Sequence, residues 1–280
     1  MGYLSPMLQL AGIAVEAVSV GGLETCIQLP GLDLAFDIGR CPPKAVTRST
    51  LLLTHAHIDH LGGLPMHCAT RSMMAMSPPT YLLPRRNVAD VQALLDVWRR
   101  LDGSELPCTL VGIDPGETHR LGRDLLVQPF RALHVVATNG YVLVRERHKL
   151  LPAWMGTPGR ELAAAKAAGI EITERILVPE VAFSGDSRIE IVEREEAVRK
   201  ARLLILELTF LDDRVDVASA RGKGHIHFDE VIARAELFEN QHILFTHVSS
   251  RYSPDEAQAI FAARLPAPLA GRATLLPNLR

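Results

Sequence analysis

The chain has 280 residues, nearly half of them apolar, and a formal net charge of −2. This length and composition suit a globular protein with a large core, and the charge excludes a globally basic surface for nucleic acid, so a polyanion would have to meet local patches. The cysteines form no Cys-x-x-Cys pair and indicate reduced, mostly buried thiols rather than a disulfide framework; they are Cys26, Cys41, Cys68 and Cys108.

The first part of the chain predicts strands followed by one helix. Alternation in residues 11–20 and the break at Gly21 and Gly22 predict a hairpin. Residues 32–39 and 49–55 predict two further strands, and the second is apolar on both faces, as a central buried strand is. A helix from Asn87 to Leu101 is predicted by apolar residues at helical spacing, namely Val88, Val91, Leu94, Leu95 and Trp98.

The rest of the chain alternates between strand and helix patterns. Strands are predicted at residues 124–134, 140–146, 181–186, 202–210 and 243–247. Helices are predicted from Glu161 to Ala168, from His227 to Asn240, and after Ser253, which is followed by Pro254 and Glu256 in the pattern of a capping box. This order predicts one α/β domain over residues 1–280 with helices covering the sheet faces, interrupted by an irregular insertion from Lys149 to Glu180.

The sequence carries no pattern of a targeting or membrane-spanning segment. No basic residue precedes Arg40, so the N-terminus lacks the charged region of a signal peptide. No apolar run reaches the roughly 18 residues that a membrane span needs. We therefore expect a cytoplasmic protein with no membrane partner.

Metal-binding side chains recur where predicted strands end. His55, His134, Asp186 and His247 each follow an apolar strand, and functional sites of open α/β sheets gather where strands end and loops begin. These four residues are therefore expected to converge although they are far apart in the chain. Imidazole and carboxylate ligands suit zinc, and they also tolerate manganese or iron.

The stretch THAHIDH adds His57, Asp59 and His60 to this set. One tight turn cannot bring all of its ligands to a single ion, so we expect two ions, with Asp186 bridging them. One ion takes His55, His57 and His134, and the other takes Asp59, His60 and His247. The alternative is a set of separate surface or core histidines. Asp37, after another strand, either accepts a hydrogen bond from a ligand histidine or caps the turn at Gly39.

The stretch THAHIDHLGGLP resembles the signature of the metallo-β-lactamase superfamily, and the later ligands follow in the order of that superfamily. The resemblance implies an αββα sandwich of two mixed sheets flanked by helices. Three further stretches, LELTFLDD, GHIHFDE and THVSSRY, are similar to motifs of ribonuclease Z, the tRNA 3′-processing endonuclease (tRNase Z). Other stretches, among them GGLPMHCATR, resemble its short, plant-type form.

This second resemblance implies a dizinc phosphodiesterase that cleaves the 3′ trailer of precursor tRNA with metal-activated hydroxide. By matching position, Glu207 and His225 join Asp59 as catalytic residues, with His225 helping the leaving 3′-oxygen and Glu207 holding the imidazole. Taken singly, Glu207 could be a solvated carboxylate and His225 a helix cap. Members of the family are commonly homodimers.

The resemblance also implies a short, arm-like insertion at about residues 145–180 that contacts tRNA. Arg145, Arg147 and Lys149 form a small basic cluster at its start, and Arg251 lies beside the last ligand motif, so these four are expected to bind substrate phosphates. The pairs Arg85-Arg86 and Arg99-Arg100 are better interpreted as solvated faces.

Two other functions remain open from the sequence. One is a hydrolase of the same fold that acts on a small phosphodiester, thioester or lactone, since a fold alone does not name a substrate. The other is a non-catalytic metal-binding scaffold, for which loss of the Glu207 carboxylate would change nothing.

Overall fold

The first of two mixed β-sheets is built mostly from the N-terminal half of the chain. The computed structural model describes residues 7–276. Neighbouring strands of this sheet are antiparallel up to the fourth strand and parallel after it. The strands are β1 (Met7–Leu10), β2 (Ile13–Gly21), β3 (Glu24–Leu29), β4 (Leu34–Phe36), β5 (Thr50–Leu52), β6 (Thr80–Leu83) and β7 (Thr109–Gly112).

The second sheet comes from the C-terminal half and has the order β15-β13-β12-β11-β10-β9-β8. Its members are β8 (His119–Arg120), β9 (Leu125–Ala132), β10 (Thr138–Leu150), β11 (Thr173–Phe183), β12 (Leu203–Glu207), β13 (His242–Thr246) and β15 (Ala273–Leu275). Strand β12 pairs in parallel with β11 and with β13, and β13 pairs in parallel with β15. The short strand β14 (Val248–Ser249) crosses to the first sheet and pairs with β2, which joins the two sheets near the last predicted ligand.

Residues 7–276 contain nine α-helices, most of which cover the outer faces of the two sheets. They are α1 (Ile58–Leu61), α2 (Leu64–Met73), α3 (Val88–Asp102), α4 (Gly159–Ala167), α5 (Glu190–Arg194), α6 (Glu196–Lys200), α7 (Val217–Gly222), α8 (Phe228–Ile232) and α9 (Pro254–Arg264). One apolar cluster fills the space between the sheets, a second packs the first sheet against α2 and α3, and a third packs the second sheet against α5, α6, α8 and α9. The predicted αββα sandwich is confirmed.

Strands that are apolar on both faces occupy the middle of the sheets, as predicted. In β5, Leu51 packs toward the helices and Leu52 packs between the sheets. In β12, Leu204 packs toward the helices and Ile205 packs between the sheets. Burial on both sides explains why these strands lack the alternation of polar and apolar residues that marks a half-exposed strand.

Several predicted elements differ in extent from the observed ones. The helix predicted from His227 to Asn240 ends at Ile232 and continues only as a short 3₁₀ turn. Asn240 donates two hydrogen bonds to the carbonyls of Val198 and Ala201, and this contact turns the chain into β13. The strand predicted over 202–210 ends at Glu207. The sequence interpretation also missed α2, β6 and β7.

The segment expected to be irregular is an extension of the second sheet. Strands β10 and β11 run on as an antiparallel ribbon as far as the pair Leu150 and Thr173. A 3₁₀ turn and α4 close the tip. We call residues 145–180 the arm. Within the described residues, no helix is both long and apolar enough to cross a membrane.

Candidate metal centre and its catalytic pair

Seven side chains converge at one edge of the sandwich, where strands of both sheets end. The segment after β5 and α1 carry four of them, and the loops after β9, β11 and β13 carry one each. They are the predicted ligands His55, His57, Asp59, His60, His134, Asp186 and His247. The parallel order of the strands produces this meeting, because the carboxyl ends of parallel strands lie at one edge.

The first group comprises His55, His57, His134 and Asp186, whose ligand atoms all lie within 4.8 Å of one another. Nδ1 of His57 lies 3.0 Å from Nε2 of His55 and 3.4 Å from Nε2 of His134. Oδ2 of Asp186 lies 3.7 Å from Nε2 of His55 and 3.9 Å from Nε2 of His134. Three imidazoles and a carboxylate therefore face a common centre.

The second group comprises Asp59, His60 and His247. Oδ2 of Asp59 lies 3.6 Å from Nε2 of each histidine. The other oxygen of Asp186, Oδ1, lies 3.3 Å from the same two nitrogens. Asp186 thus directs one carboxylate oxygen toward each group, which is the arrangement that a bridging ligand requires.

Hydrogen bonds on the far side of the rings direct the Nε2 lone pairs inward. Nδ1 of His60 donates to Asp37 at 2.7 Å. Nδ1 of His247 donates to Thr209 at 3.0 Å, because the Thr209 hydroxyl gives its own proton to Glu207. The Nε2 atoms of His60 and His247 face each other 3.4 Å apart, and when both rings are neutral each of these atoms directs a lone pair toward the other. Two opposed lone pairs at this distance fit a cation.

The first group is oriented in the same way. Nδ1 of His55 donates to the Thr54 hydroxyl at 2.9 Å, since that hydroxyl donates to Asp37. Nδ1 of His134 donates to the carbonyl of Gly224 at 2.9 Å. Asp37, fully buried, therefore orients ligands in both groups, which favours the hydrogen-bonding role over the turn cap.

Charge and burial shift the pKa values of these groups in opposite directions. Burial lowers the pKa of His55 well below its usual range, and the neighbouring histidines lower it further. Burial also disfavours charge on His60, but Asp186 and Asp37 raise its pKa well above the usual range. Burial raises the pKa of Asp186, and the facing imidazoles, His247 first, outweigh it and hold that pKa well below its usual range. The site therefore stabilises carboxylate charge, as a cation site does.

Glu207 and His225 form a pair beside the two groups. Oε1 of Glu207 accepts from Nδ1 of His225 at 2.9 Å and from the Ser187 amide at 2.8 Å. Oε2 accepts from the Thr209 hydroxyl at 2.6 Å and the Ile226 amide at 3.2 Å. Burial opposes charge on His225, but Glu207 raises its pKa to about 9. Glu207 is buried and accepts four hydrogen bonds, and the His225 side chain is only 16% exposed, unlike a solvated carboxylate or a helix cap.

Two glycines permit close packing around the ligands. A Cβ on Gly224 would lie 2.7 Å from Nδ1 of His134, and Gly224 has φ +78°. A Cβ on Gly21 would lie 3.0 Å from the carbonyl oxygen of His247. The next residue, Gly22, donates its amide to Oδ2 of Asp59 at 3.0 Å. The contacts of Gly224, Gly21 and Gly22 join sequence positions 90, 226 and 37 residues apart, so no local pattern signalled them.

The four predicted phosphate-binding residues do not share one surface environment. Arg145 lies at the root of the arm and pairs with Asp124 at 2.8 Å. Arg147 is more than half exposed and lies 4.0 Å from Glu180. Lys149 and Arg251 are exposed, and neither has an ion-pair partner in residues 7–276.

The remaining histidines lie outside the two groups. His67 is buried and hydrogen-bonds to the Tyr81 hydroxyl and the Ala45 carbonyl. His242 contacts Thr274 at 2.9 Å. His119 and His148 lie on β8 and β10, away from the ligands. The distinction made from the sequence between clustered and isolated histidines therefore agrees with the geometry.

Comparison with known proteins places the chain among enzymes of related sequence. The sequence profile of the Beta-lactamase superfamily domain matches residues 38–248. The chain is 45% identical over 267 residues to tRNase Z TRZ1 of Arabidopsis thaliana, and the match covers 95% of each chain. It is 39% identical over 251 residues to chloroplastic tRNase Z TRZ2 of the same plant, covering 89% of this chain and 71% of the relative.

Two solved structures share the fold. The metallo-beta-lactamase fold protein YhfI from Bacillus subtilis matches with a TM-score of 0.61 and 14% identity, covering 93% of this chain and 95% of that one. The short form of human tRNase Z matches with a TM-score of 0.55 and 18% identity, covering 100% and 94%. At these identities the structural likeness bears on the fold alone.

Proposed function

The chain belongs to the tRNase Z family of the beta-lactamase superfamily, and from this premise we propose that it is a metal-dependent endoribonuclease that removes the 3′ trailer of precursor tRNA. The observation that carries the proposal is the hydrogen-bonded Glu207–His225 pair beside two groups of metal-binding side chains. A scaffold that only binds metal has no use for such a pair.

Two divalent ions, zinc by preference and manganese or iron as alternatives, fit the donor set. His55, His57 and His134 would hold one ion, and Asp59, His60 and His247 the other, with one oxygen of Asp186 toward each. When bound, the ions supply positive charge that generates a hydroxide from water at neutral pH and stabilises the negative charge of a phosphodiester transition state. The inward lone pairs and the absence of thiolate ligands support this set.

The chain's own residues orient and protonate the reacting groups. The hydrogen bond from Nδ1 of His225 to Glu207 fixes the ring, so Nε2 is the nitrogen left to donate a proton or a charged hydrogen bond to the leaving 3′-oxygen. Glu207 acts through His225 and does not contact substrate. Asp59 keeps one oxygen on the Gly22 amide and is partly exposed, which suits a carboxylate that orients the attacking water.

A groove of about 440 Å³ leads from His134 along the surface and supports an RNA substrate. Arg86 and Arg131 line it, and neither has a carboxylate within ion-pair distance among the described residues. Unpaired guanidinium groups beside a catalytic centre suit the phosphates of an RNA strand. We add both residues to the predicted phosphate contacts Arg147, Lys149 and Arg251, and we assign Arg145 a lesser role because Asp124 already neutralises it.

A second copy of the chain is the proposed occupant of an apolar groove between α2 and α3. The groove, about 440 Å³, is lined by Leu94, Trp98, Met66 and Ile58, and each of these is at least 40% exposed. Ile58 lies between the ligands His57 and Asp59, so a partner bound here is placed beside the site. Four free cysteines are consistent with the reducing environment of the cytoplasm, where we place this homodimer.

The homodimer is tested by sedimentation of the wild type and two variants. Trp98→Asp is expected to yield monomers because it buries a charge in the groove. Leu101→Asp is the control, since Leu101 lies on the same helix, is 74% exposed and does not line the groove. Equal masses for both variants would contradict this interface.

The activity is tested by incubating purified protein with a 3′-extended precursor tRNA and added zinc or manganese. A cut just after the discriminator nucleotide, absent for Asp59→Ala, is the expected result. The second function, a hydrolase of small phosphodiesters, thioesters or lactones, would be favoured by metal-dependent hydrolysis of bis-(p-nitrophenyl) phosphate without any cleavage of tRNA.

A further inference from the structure

Two cysteines outside the metal centre lie close together in the helical layer that covers the first sheet. Cys68 lies in α2, and Cys108 immediately precedes β7. The Cys68 thiol donates to the carbonyl oxygen of Pro107 at 3.3 Å, so it lies against the residue that precedes Cys108, and the two thiols are interacting neighbours. Both pack in the apolar cluster between the sheet and α2 and α3. The two thiols are free but already in contact.

The two thiols of this pair differ in exposure and in charge. Cys68 is fully buried, whereas Cys108 is partly exposed to solvent. The adjacent Cys68 thiol lowers the pKa of Cys108, burial opposes this, and the guanidinium of Arg99 lowers it further. Arg99 is held on the same loop by hydrogen bonds to the carbonyls of Glu105 and Leu106. Cys108 is therefore the more nucleophilic thiol, and Cys68 is its buried partner.

The other two cysteines lack these features. Cys26 and Cys41 are both buried. Burial raises the pKa of Cys41 to about 11 and that of Cys26 well above its usual range. Buried thiols that stay protonated react slowly with oxidants. They serve as internal references for the reactivity of Cys108 in the same protein.

We propose that Cys108 and Cys68 form a peroxide-reactive site that closes to a reversible disulfide. In the first step the Cys108 thiolate attacks a peroxide oxygen, so that an S–O bond forms, the O–O bond breaks and hydroxide leaves to become water. In the second step the Cys68 thiol attacks the sulfur of the Cys108 sulfenic acid. The S–S bond forms, the S–O bond breaks, and the proton of Cys68 leaves with the oxygen as water.

The two steps balance, since the two cysteines lose two electrons and one hydrogen peroxide is reduced to two waters. The disulfide ties α2 to the segment between α3 and β7. A cross-link between two segments far apart in the chain restricts the unfolded state. Oxidised protein is therefore expected to unfold at a higher temperature than reduced protein, and a dithiol reductant is expected to reverse the shift.

The test treats zinc-loaded, reduced, full-length protein with a rising dose of hydrogen peroxide, followed by alkylation and non-reducing tryptic mass spectrometry. The expected product is a linked pair of peptides that contain Cys68 and Cys108, lost on treatment with dithiothreitol. It is expected at doses that leave Cys26 and Cys41 as thiols. Cys41→Ser should keep the linked product, and Cys108→Ser should abolish it.

The Cys68→Ser variant separates the two steps. Without Cys68, Cys108 is expected to accumulate as a sulfenic acid that dimedone traps. In the wild type, faster alkylation of Cys108 than of Cys26 or Cys41 provides a measurement that depends on no variant. The proposal is overturned if Cys108 reacts no faster than the buried cysteines, or if it is oxidised to sulfinic acid without forming the link to Cys68.

Discussion

Each carboxylate oxygen of Glu207 accepts two hydrogen bonds. A neutral amide cannot replace the carboxylate, because one of the two oxygens would become an NH₂ group that only donates. In Glu207→Gln, the amide NH₂ must face two donors, either Ser187 and His225 or Thr209 and Ile226. We expect kcat for precursor tRNA to fall about 10²- to 10⁴-fold, the usual effect of losing a positioned proton donor. Bound metal, measured by elemental analysis, is expected to remain.

The exposed carboxylate of Glu239 provides the control for this substitution, because Glu239→Gln changes the same atoms away from the site. Wild-type turnover in Glu207→Gln would show that the Glu207–His225 pair is structural. Loss of metal together with turnover would instead show that Glu207 acts on the ligands through Thr209.

Asp37 is the second residue whose substitution separates two roles. Its carboxylate holds His60 directly and His55 through Thr54, and hydrogen-bond partners of ligand histidines typically contribute 10- to 100-fold in metal affinity. We expect Asp37→Asn to weaken zinc binding by about that factor in competition with a chelator. Asp33→Asn, on the exposed turn before β4, serves as the control. Equal zinc affinities for Asp37→Asn and the wild type would mean that Asp37 only caps the turn at Gly39.

His67 gives a pH dependence that does not involve the metal ligands. Burial, and then Arg71, lower its pKa to about 4, so the unfolded chain takes up a proton near pH 6.5 that the folded chain refuses until about pH 4. The contribution of neutral His67 to the free energy of unfolding therefore has its full value above pH 6.5. It decreases as the pH falls from 6.5 toward 4. The slope reaches about 1.4 kcal/mol per pH unit.

We expect His67→Gln to remove this pH dependence of the free energy of unfolding. The measurement is denaturant titration at each pH in the presence of a chelator. The variant is less stable than the wild type at pH 7, and the difference narrows at lower pH. His148→Gln on the arm is the exposed control. A constant difference between pH 4 and 6.5 would mean that His67 is protonated in the folded protein.

Residue types and their positions after strands were enough to predict the seven candidate ligands, which the fold brings together, because metal-binding side chains are scarce and their clustering in THAHIDH is visible in the sequence. The residues that orient them were not identifiable in this way. In the sequence, Thr54 and Thr209 lie in stretches predicted as strands, and Gly224 looks like a turn residue. Their function depends on contacts with His55, His247 and His134 that exist only after folding.

Elements with strong local signals were predictable to within a residue or two. Helix α3 spans Val88–Asp102, and α9 begins with the Ser253 and Glu256 capping box. The prediction from His227 to Asn240 was wrong in extent because the apolar period of 3.6 residues continues through Ala235 and Phe238, whereas α8 ends at Ile232. The arm looked irregular because its ribbon is exposed and lacks an apolar face.

The tip of the arm, residues 151–172, is the segment whose removal tests RNA binding. Leu150 and Thr173 are directly opposite each other, so an Asn-Gly turn replacing residues 151–172 closes the ribbon as a two-residue hairpin. We expect precursor tRNA cleavage to fall at least about 100-fold, while hydrolysis of bis-(p-nitrophenyl) phosphate and bound metal are unchanged. Unchanged tRNA cleavage would contradict a role for the arm in substrate binding.

At the scale of the whole molecule, a net charge of −2 means that RNA binding depends on a few local cations. Each phosphate that a lysine or arginine neutralises releases counterions, so the logarithm of the binding constant falls by close to 1 per contact for a tenfold rise in salt. We expect Arg147→Ala with Lys149→Ala to lower this slope by about 2 in filter binding of precursor tRNA. Arg85→Ala should leave the slope unchanged, because Glu117 already neutralises Arg85 at 2.7 Å. A wild-type affinity that does not change between low and moderate salt would contradict phosphate binding and favour a small-molecule substrate.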